Sequence, residues 1–305
     1  MGSPLAGLRF SLAGPGRVGS SLASWAVAAG AELVTAAGRG GLADLASAGQ
    51  ELLLIAVPDG ALAEVAERLA GRPQAAVALH TSGSQGAAVL APLRRAGSVP
   101  GALHPLKAFP WALPEPEQGR GVFFALDGEA AAQRLSRRLV AAWGGAAGEV
   151  PPAARPLYHF AATLAAGGVA TLLGTAADLA SRAGLPPAVA SGYLELARGT
   201  VAAALAAAPL PAGPEADAGA AGRASAARAA GGGAVAALTG PVARGDLATV
   251  ERHLEALRAV APERLPLALE LARETLRQVA ARTPLSAGQH ALLAWIDDLG
   301  SRGPR

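Results

Sequence analysis

Three glycines near the N-terminus, Gly14, Gly16 and Gly19, have the spacing G-x-G-x-x-G in "LAGPGRVGSSLA". In a dinucleotide-binding turn, the first glycine permits a tight turn and the second lets the backbone approach a pyrophosphate. The third lets the following helix pack close to a strand. A chain with 39 glycines could hold this spacing in an ordinary strand–helix turn. The strand-like "LRFSLAG" before it and the helical stretch after it favour a nucleotide site.

The segment after the second predicted strand indicates which dinucleotide would bind. NAD-binding units usually carry Asp or Glu about 20 residues after the glycines, where it bonds the ribose 2′-hydroxyl. Here that place reads "AAGRGG", with Arg39 and no acidic residue. An arginine can pair with a 2′-phosphate through charge-assisted hydrogen bonds. Unless Arg39 is a solvated loop residue, the sequence favours NADP over NAD. The predicted cofactor-binding residues are Gly14, Pro15, Gly16, Arg17, Val18, Gly19, Arg39, Val57 and Pro58.

Polar residues follow three later strands, in "AVPDG", "LHTSGS" and "LHPLKAF". Ligands of doubly wound sheets bind outside the C-terminal ends of the strands. Each segment alone could be a capped strand end or a polar loop, but three in register favour a substrate site. We predict that Ser82 and His104 bind substrate and that Lys107 takes part in catalysis.

Two further candidates come from the second half of the chain. His159, in "RPLYHFAATLAAGG", follows the predicted domain boundary, where a histidine could exchange the proton that accompanies hydride transfer. A lone histidine on an apolar helix is more often a satisfied core residue. Arg244, in "LTGPVARGDLATVERHL", is predicted to bind substrate, whereas Asp246 is explained fully as a helix N-cap with Thr249 at N3.

The composition excludes several classes of protein. With 51% hydrophobic and 16% charged residues, the 305-residue chain is globular and long enough for two domains. Its basic residues are scattered and the net charge is only +3, so nucleic-acid binding is not expected. Without cysteine there is no disulfide or thiolate metal site, and we predict no metal.

The chain carries neither a signal-peptide pattern nor a segment that we interpret as membrane-spanning. Pro156–Ala177 has no charge and is long enough to cross a bilayer, but it is rich in Ala and Gly and contains Tyr158 and His159. We interpret it as a buried helix of a soluble domain, and we expect a cytoplasmic protein.

Strand-like and helical stretches alternate through the first half of the chain, which predicts a doubly wound α/β domain with a parallel sheet over residues 1–150. The run "ELLLIAVPD" is apolar enough to be buried on both faces. "QGAAVLAPLRRAG" is predicted as a helix, and Asp59 as the N-cap of the helix "GALAEVAERLA".

No convincing strand follows "EVPPAARP", so residues 151–300 are predicted to form an all-helical domain. A low-complexity insertion at about 208–233 interrupts it and is predicted to be a loop. The predicted helices cover 156–183, 186–206, 246–260, 265–281 and 286–299.

These segments together resemble a family of Rossmann-like oxidoreductases with a C-terminal domain of unknown function, related to ketopantoate reductase and pyrroline-5-carboxylate reductase. The resemblance covers nearly the whole chain, and its most specific carrier is "ALTGPVARGDLATVERHL". It implies NAD(P) binding at the glycine motif, a helical domain of the 6-phosphogluconate dehydrogenase C-terminal type, and a homodimer built through that domain.

Residues and resemblance together predict an NADP-dependent oxidoreductase, acting on CH–OH or CH–NH groups, that transfers a hydride to a small 2-oxo or imino acid. His159 is the expected proton donor. The alternative is an inactive NAD(P)-binding sensor or regulatory protein, which the complete absence of Asn supports, because an Asn that could orient substrate is missing.

Overall fold

The structure, a computed structural model, describes residues 2–38, 40–45, 49–72, 75–207 and 237–301. The chain divides into two compact units, Met1–Gly168 and Val169–Arg305. This division falls one helix later than the boundary predicted at residue 150, since the helix after Pro151 bonds to strand ends of the first unit. Arg39 and the predicted insertion at 208–233 lie outside the described residues.

A seven-stranded sheet forms the first unit. Its strands are β1 (Arg9–Ala13), β2 (Glu32–Ala37), β3 (Leu52–Ile55), β4 (Val77–His80), β5 (Val99–Pro105), β6 (Phe123–Gly128) and β7 (Ala146–Glu149). They lie in the order β2-β1-β3-β4-β5-β6-β7. The chain runs from β1 outward to β2 and then to β3 on the other side of β1. This is the doubly wound arrangement, with its switch point between β1 and β3.

Apolar side chains alternate between the two faces of the sheet. Leu52 and Leu54 join the core that α1 (Arg17–Ala28) and α3 (Ala130–Ala142) cover. Leu53 and Ile55 join the opposite core, under α2 (Leu62–Leu69). All four side chains are at most 2% exposed, which confirms that β3 is buried on both faces.

The strand pairing differs from the predicted parallel sheet at one place, because β6 runs antiparallel to β5. The connection between them contains only a 3-10 helix, Pro116–Gly119, so there is no α-helical crossover to return the chain for parallel pairing. The short β7, which the sequence reading did not predict, then pairs with β6 in parallel.

The stretch predicted as a helix after β4 is a 3-10 helix, Ala87–Ala96. Pro92 lies inside it and has no backbone N–H, so a regular α-helical ladder cannot continue through this point. Shorter 3-10 turns are Leu42–Leu45, Asp59–Ala61, Pro152–Ala154 and Pro262–Arg264.

Helical segments make up the described part of the second half. They are α4 (Arg155–Thr163) and a π-helical turn (Leu164–Gly168) in the first unit, then α5 (Val169–Arg182), α6 (Ala188–Ala207), α7 (Pro241–Arg244), α8 (Leu247–Val260), α9 (Leu265–Ala280) and α10 (Ala287–Ser301). The core of the second unit lies between α8, α9 and α10, around Leu254, Leu276 and Ile296. The Asp246 carboxylate accepts a hydrogen bond from the Thr249 backbone N–H at 3.2 Å, which confirms the predicted N-cap.

The expected burial of the uncharged Pro156–Ala177 stretch is wrong for the single chain. Leu157, Phe160 and Leu164 are each more than half exposed. The described helix Pro152–Arg182 is long and apolar enough to cross a membrane, with a mean hydropathy of 1.5 and none of that window buried. In α4 only Arg155 is buried, and no residue of α5 belongs to the core that the described residues of the second unit form.

Candidate active site

Gly14 ends β1 in a turn that requires glycine. Its φ of +88° lies in the left-handed region, and a Cβ atom there would approach the Ala56 carbonyl oxygen to 2.5 Å. Its backbone N–H donates to the Ala37 carbonyl at 2.9 Å. The turn is therefore held against the strand ends on both sides of β1.

The fold requires glycine at position 19 but not at position 16. A Cβ on Gly19 would lie 2.2 Å from the Gly14 carbonyl oxygen, so α1 can pack this close to the turn only with glycine. A Cβ on Gly16 would meet nothing within 4 Å. No contact within the protein requires glycine at position 16, and the space beside this residue at the start of α1 is open.

The N-terminus of α1 suits an anion. Gly16 is the N-cap, no side chain caps the helix, and the first turn has no acidic residue. The first backbone N–H groups of a helix have no partner within the helix, and the helix dipole adds partial positive charge there. Arg17 occupies the first position, with its Nη1 donating to the Pro110 carbonyl at 3.0 Å. These groups could hold the phosphates of a dinucleotide.

The other predicted cofactor residues lie around this turn. The Pro15 carbonyl accepts from the Ser20 hydroxyl at 3.0 Å, and Val18 packs on the adjacent core. Val57 and Pro58 follow β3, and a Cβ on Gly14 would lie 3.0 Å from Val57 Cγ1. The C-terminal ends of β1 and β3 therefore meet where the glycines lie.

His80, the last residue of β4, is fully buried and organises the loop that follows. Its Nε2 donates to the Gly86 carbonyl at 3.1 Å, and its Nδ1 accepts from the Ser82 backbone N–H at 3.2 Å. This pair of bonds requires a neutral ring with its proton on Nε2. Burial lowers the pKa of His80 to about 4, which keeps the ring neutral.

Ser82 bonds within the loop after β4, and Ser84 links this loop to Asp59 after β3. The Ser82 hydroxyl accepts from the backbone N–H groups of Ser84 at 3.3 Å and Gln85 at 3.2 Å, and the residue is 4% exposed. The Ser84 hydroxyl donates to the Asp59 carboxylate at 2.5 Å. The prediction that Asp59 caps α2 is wrong, because no side chain caps that helix and this carboxylate turns to Ser84.

His104, Tyr158 and His159 form a histidine–tyrosine cluster between the end of β5 and α4. His104 Nδ1 and the Tyr158 hydroxyl are 2.8 Å apart. The His104 ring meets the rings of Tyr158 and His159 edge to face, with centroids 5.5 and 5.8 Å away. Gly83 permits this approach, because a Cβ on it would lie 2.6 Å from His159 Cδ2 and 2.8 Å from His104 Nε2.

Both hydrogen-bonded members of the cluster are electrically neutral at neutral pH. Burial, with smaller effects from the charges of His159 and Arg155, lowers the pKa of His104 to about 4. Burial raises the pKa of the Tyr158 phenol to about 12, although the charge of Arg155 opposes that rise. The pair thus presents an uncharged imidazole and a protonated phenol.

Arg155, one turn before Tyr158 on α4, is a buried cation that is only partly satisfied. The residue is fully buried, and its Nη1 donates to the Ser82 carbonyl at 3.3 Å. Nε and Nη2 have no hydrogen-bond partner, and the guanidinium forms no ion pair, among the described residues. Burial lowers the pKa of Arg155, and Asp127 acts on it only through longer-range charge attraction. The Asp127 carboxylate itself accepts from the Ala87 backbone N–H at 2.7 Å.

The structure brings some predicted site residues together and leaves others apart. His104 and His159 both belong to the cluster. Ser82 lies beside it, because its carbonyl accepts the hydrogen bond from Arg155. Lys107 is half-buried beyond β5, and its ammonium makes no hydrogen bond or ion pair to the described residues. Arg244 belongs to the second unit, where its guanidinium donates to the Thr239 carbonyl.

Tyr158 of the cluster and the neighbouring Arg155 are the site residues that sequence reasoning missed. A signal for them exists in "ARPLYHF", because positions 155, 158 and 159 lie three and four residues apart and share one helix face. Arg155 is also the last charge before a long uncharged stretch. A charge that is buried beside such an apolar stretch is costly unless it is paired, so an arginine there is a candidate functional residue.

The chain is similar to a Rossmann-like domain over residues 6–105 and to the domain of unknown function DUF2520 over residues 122–218 and 220–285. No curated protein matches it. The first match covers strands β1 to β5, and the second covers β6, α3, β7 and most of the C-terminal helices.

Solved structures share the fold over most of the chain. A candidate NADP oxidoreductase from Bacteroides fragilis is 18% identical, with a TM-score of 0.65 over 90% of this chain and 99% of that one. Protein TM1727 from Thermotoga maritima is also 18% identical, with a TM-score of 0.62 over 89% and 98%.

A pyrroline carboxylate reductase from Plasmodium falciparum, solved with NADP bound, is 13% identical, with a TM-score of 0.52 over 88% and 98% of the two chains. At these identities the likenesses show the fold alone. The DUF2520 match, in contrast, covers more than half of the 305 residues. The chain therefore belongs to the DUF2520 family, with a Rossmann-like domain at its N-terminal end.

Proposed function

We propose that this protein is an NADP-dependent oxidoreductase that transfers a hydride to the carbonyl or imine carbon of a small 2-oxo or imino acid. One observation carries the proposal: an open, uncapped glycine turn and a half-buried histidine–tyrosine cluster lie at the C-terminal edge of the parallel strands β1 to β5. That edge is where doubly wound folds bind their ligands.

The glycine turn supports dinucleotide binding. Gly14 and Gly19 are required by the close approach of the chain to itself, whereas Gly16 faces open space. Arg17 at the first helical position is unfavourable beside the positive end of a helix dipole, and a bound pyrophosphate removes that conflict. When bound, NADPH supplies the hydride.

The choice of NADP rests on Arg39, which follows β2 in place of the acidic residue of NAD-binding units. The names of two fold relatives agree with it: one is a candidate NADP oxidoreductase and one was solved with NADP bound. We expect Arg39→Ala to weaken NADPH binding about 10-fold or more and NADH binding by less than about twofold. Equal losses for both dinucleotides would contradict the role given to Arg39.

The histidine–tyrosine cluster supports chemistry at a polarised double bond. Hydride transfer to a carbonyl or imine carbon must be matched by a proton on the oxygen or nitrogen, and a side chain of this cluster can donate it. Lys107 and Arg244 remain proposed partners of a substrate carboxylate. An inactive NAD(P)-binding sensor is the second candidate, and the absence of Asn from the chain supports it.

Fluorescence titration with NADPH and NADH, followed by a reduction assay, tests the proposal. The probes are glyoxylate, pyruvate, 2-oxobutanoate and 1-pyrroline-2-carboxylate, each with NADPH consumption and product measured. We expect NADPH to bind more tightly than NADH and at least one probe to be reduced. Tight NADPH binding without reduction of any probe favours the sensor, and binding of neither dinucleotide contradicts both candidates.

We also propose that the protein acts as a cytoplasmic homodimer, with a second copy covering the apolar surface of the second unit. Leu194, Val201 and Leu205 lie seven and eleven residues apart on one face of α6, and each is at least half exposed. A soluble monomer rarely exposes such a contiguous face.

A further inference from the structure

We infer that Tyr158 is the proton donor of the proposed reduction, with His104 holding the phenol in place and the buried charge of Arg155 stabilising the phenolate that proton transfer leaves. This inference rests on the proposed function and specifies one of its steps. The sequence alone assigned the donor role to His159.

The hydrogen bond between Tyr158 and His104 distinguishes Tyr158 from its neighbour. The phenol oxygen lies 2.8 Å from His104 Nδ1, and Tyr158 keeps partial access to solvent. His159 contacts the His104 ring edge to face, but its imidazole makes no hydrogen bond to the described residues that would orient it. A proton donor has to be held at a fixed position toward the reacting atom, and only the phenol is held in this way.

The direction of the hydrogen bond decides whether the phenol proton is free. When the proton of neutral His104 is on Nδ1, that N–H donates to the Tyr158 oxygen. The phenol O–H then points away from His104 and can donate to a substrate. His104 is therefore a positioning residue, because it acts through Tyr158.

The proton and electron balance is complete with these groups. The substrate carbon receives a hydride from reduced nicotinamide, and the electron pair of the C=O or C=N bond moves to oxygen or nitrogen. The Tyr158 O–H bond breaks, and its proton joins that atom. The phenolate accepts a hydrogen bond from His104 Nδ1–H and regains a proton from water after the product leaves.

Arg155 explains how a phenolate can form at this place. The guanidinium is fully buried, has two nitrogens without a partner, and forms no ion pair in the described part of the chain. A buried charge left this incompletely paired costs folding stability, and negative charge developing on Tyr158 would offset it. The attraction between the two groups already opposes the rise in the phenol pKa that burial causes.

The reaction's dependence on pH follows from all the titratable and charged groups near the pair. These groups are Arg155 and His159 on the same helix, and His80, Asp59 and Asp127 from the strand ends. His104 stays neutral above about pH 5, and the phenol stays protonated to about pH 10. We expect kcat of the wild-type protein to be flat between these limits.

Replacement of each of the two tyrosines tests the inference. We expect Tyr158→Phe to lower kcat at least about 100-fold on the fastest-reduced of glyoxylate, pyruvate, 2-oxobutanoate and 1-pyrroline-2-carboxylate, with the Kd of NADPH unchanged within about twofold. Tyr193→Phe, which changes the only other tyrosine of the chain, is the matched control and should keep full activity. The ring of Phe preserves the packing of Tyr158, and the thermal midpoint of each variant reports folding.

A second pair of variants tests the positioning role of His104. The side-chain amide of Asn can place an N–H where Nδ1 lies, so His104→Asn should keep most of kcat. His104→Leu has no donor, and we expect it to lose kcat and to keep the Kd of NADPH. Equal losses in both variants overturn the positioning role, because a purely structural histidine would not be rescued by a hydrogen-bond donor.

The remaining outcomes separate the inference from the proposed function. If wild-type protein binds NADPH and reduces a probe, but Tyr158→Phe reduces it as fast, Tyr158 is not the donor and the proposed function stands. If wild-type protein reduces no probe, the proposed function fails and the inference falls with it. Should Tyr158→Phe not fold, a loss of wild-type kcat as the pH rises from about 6 to 8 overturns a phenol donor.

Discussion

Three histidines of the first unit differ in role because their surroundings differ. His80 is fully buried with both ring nitrogens bonded to backbone groups, so it holds the loop after β4. His104 uses one nitrogen on Tyr158, and His159 contacts His104 only through its ring. Histidine thus supports a loop at position 80, orients a phenol at position 104 and packs against a neighbouring ring at position 159.

The burial of His80 predicts a fall in stability on acidification. Its pKa drops from 6.5 in the unfolded chain to about 4 in the folded protein, so the unfolded state binds more protons between these values. Its contribution is fully present above about pH 6.5 and is lost as the pH falls toward 4. At about 1.4 kcal/mol per pKa unit, this loss is on the order of 3 kcal/mol in the free energy of unfolding.

Urea unfolding measured from pH 7.5 to 4 checks this expectation. His80→Gln cannot take up the proton and should show a shallower fall, while His104, which has a similarly lowered pKa, still contributes its own part. His253→Gln, at an exposed position of α8, is the control and should match the slope of wild type. A slope in His80→Gln equal to that of wild type would contradict the prediction.

At the scale of elements, the turn between β1 and α1 contains two glycines that folding requires and one that it does not. Gly14 has a positive φ and touches the Ala56 carbonyl, and Gly19 touches the Gly14 carbonyl. Gly16 has an ordinary φ of −80° and open space around it. If the turn holds a pyrophosphate, the space at Gly16 is where the ligand lies.

Alanine replacements can separate these two requirements. We expect Gly19→Ala to destabilise folding by about 1–3 kcal/mol, because its Cβ must displace backbone. Gly16→Ala should change stability by less than about 1 kcal/mol and weaken NADPH binding about 10-fold or more.

Chemical unfolding and fluorescence titration provide the two readouts. Gly71→Ala is a matched control, because a Cβ there also meets nothing within 4 Å and the residue lies on a loop away from the turn. It should leave both quantities near wild type. Normal NADPH binding by Gly16→Ala would show that the open space is not part of the phosphate site.

At the scale of the whole molecule, the second unit exposes more apolar side chain than its own core needs. Its buried core lies among α8, α9 and α10, while Leu194 and Leu205 on α6 are 58% and 57% exposed. Burying apolar surface yields roughly 25 cal/mol per Å², so a second copy seated on α6 would be stabilised by the residues that the single chain leaves in water.

Light scattering after size exclusion tests the proposed dimer. We expect a mass of twice the 30.0 kDa chain. Leu194→Glu combined with Val201→Glu places charge on the exposed face of α6 and should give the single-chain mass. Trp111→Glu, at a similarly exposed apolar residue of the first unit, is the control and should remain dimeric. A wild-type protein of single-chain mass would contradict the dimer.

Local features of the sequence determined the doubly wound first unit, the helices of the second unit and the glycine turn. Strand burial follows from consecutive apolar residues, as in β3, and helix boundaries follow from local signals such as the Asp246 cap. The three glycines act over six residues, so their spacing alone could indicate their roles. Such patterns are readable because each depends on residues close together in the chain.

Tertiary structure alone decided the strand direction of β6 and the composition of the histidine–tyrosine cluster. His104 and Tyr158 lie 54 residues apart in sequence, and Arg155 reaches Ser82 across 73. No local periodicity encodes contacts at that separation, because they arise only when α4 lies against the strand ends. The chemistry of the imidazole side chain is enough to propose His159 as a proton donor from the sequence. The hydrogen bond that holds Tyr158 exists only in the fold.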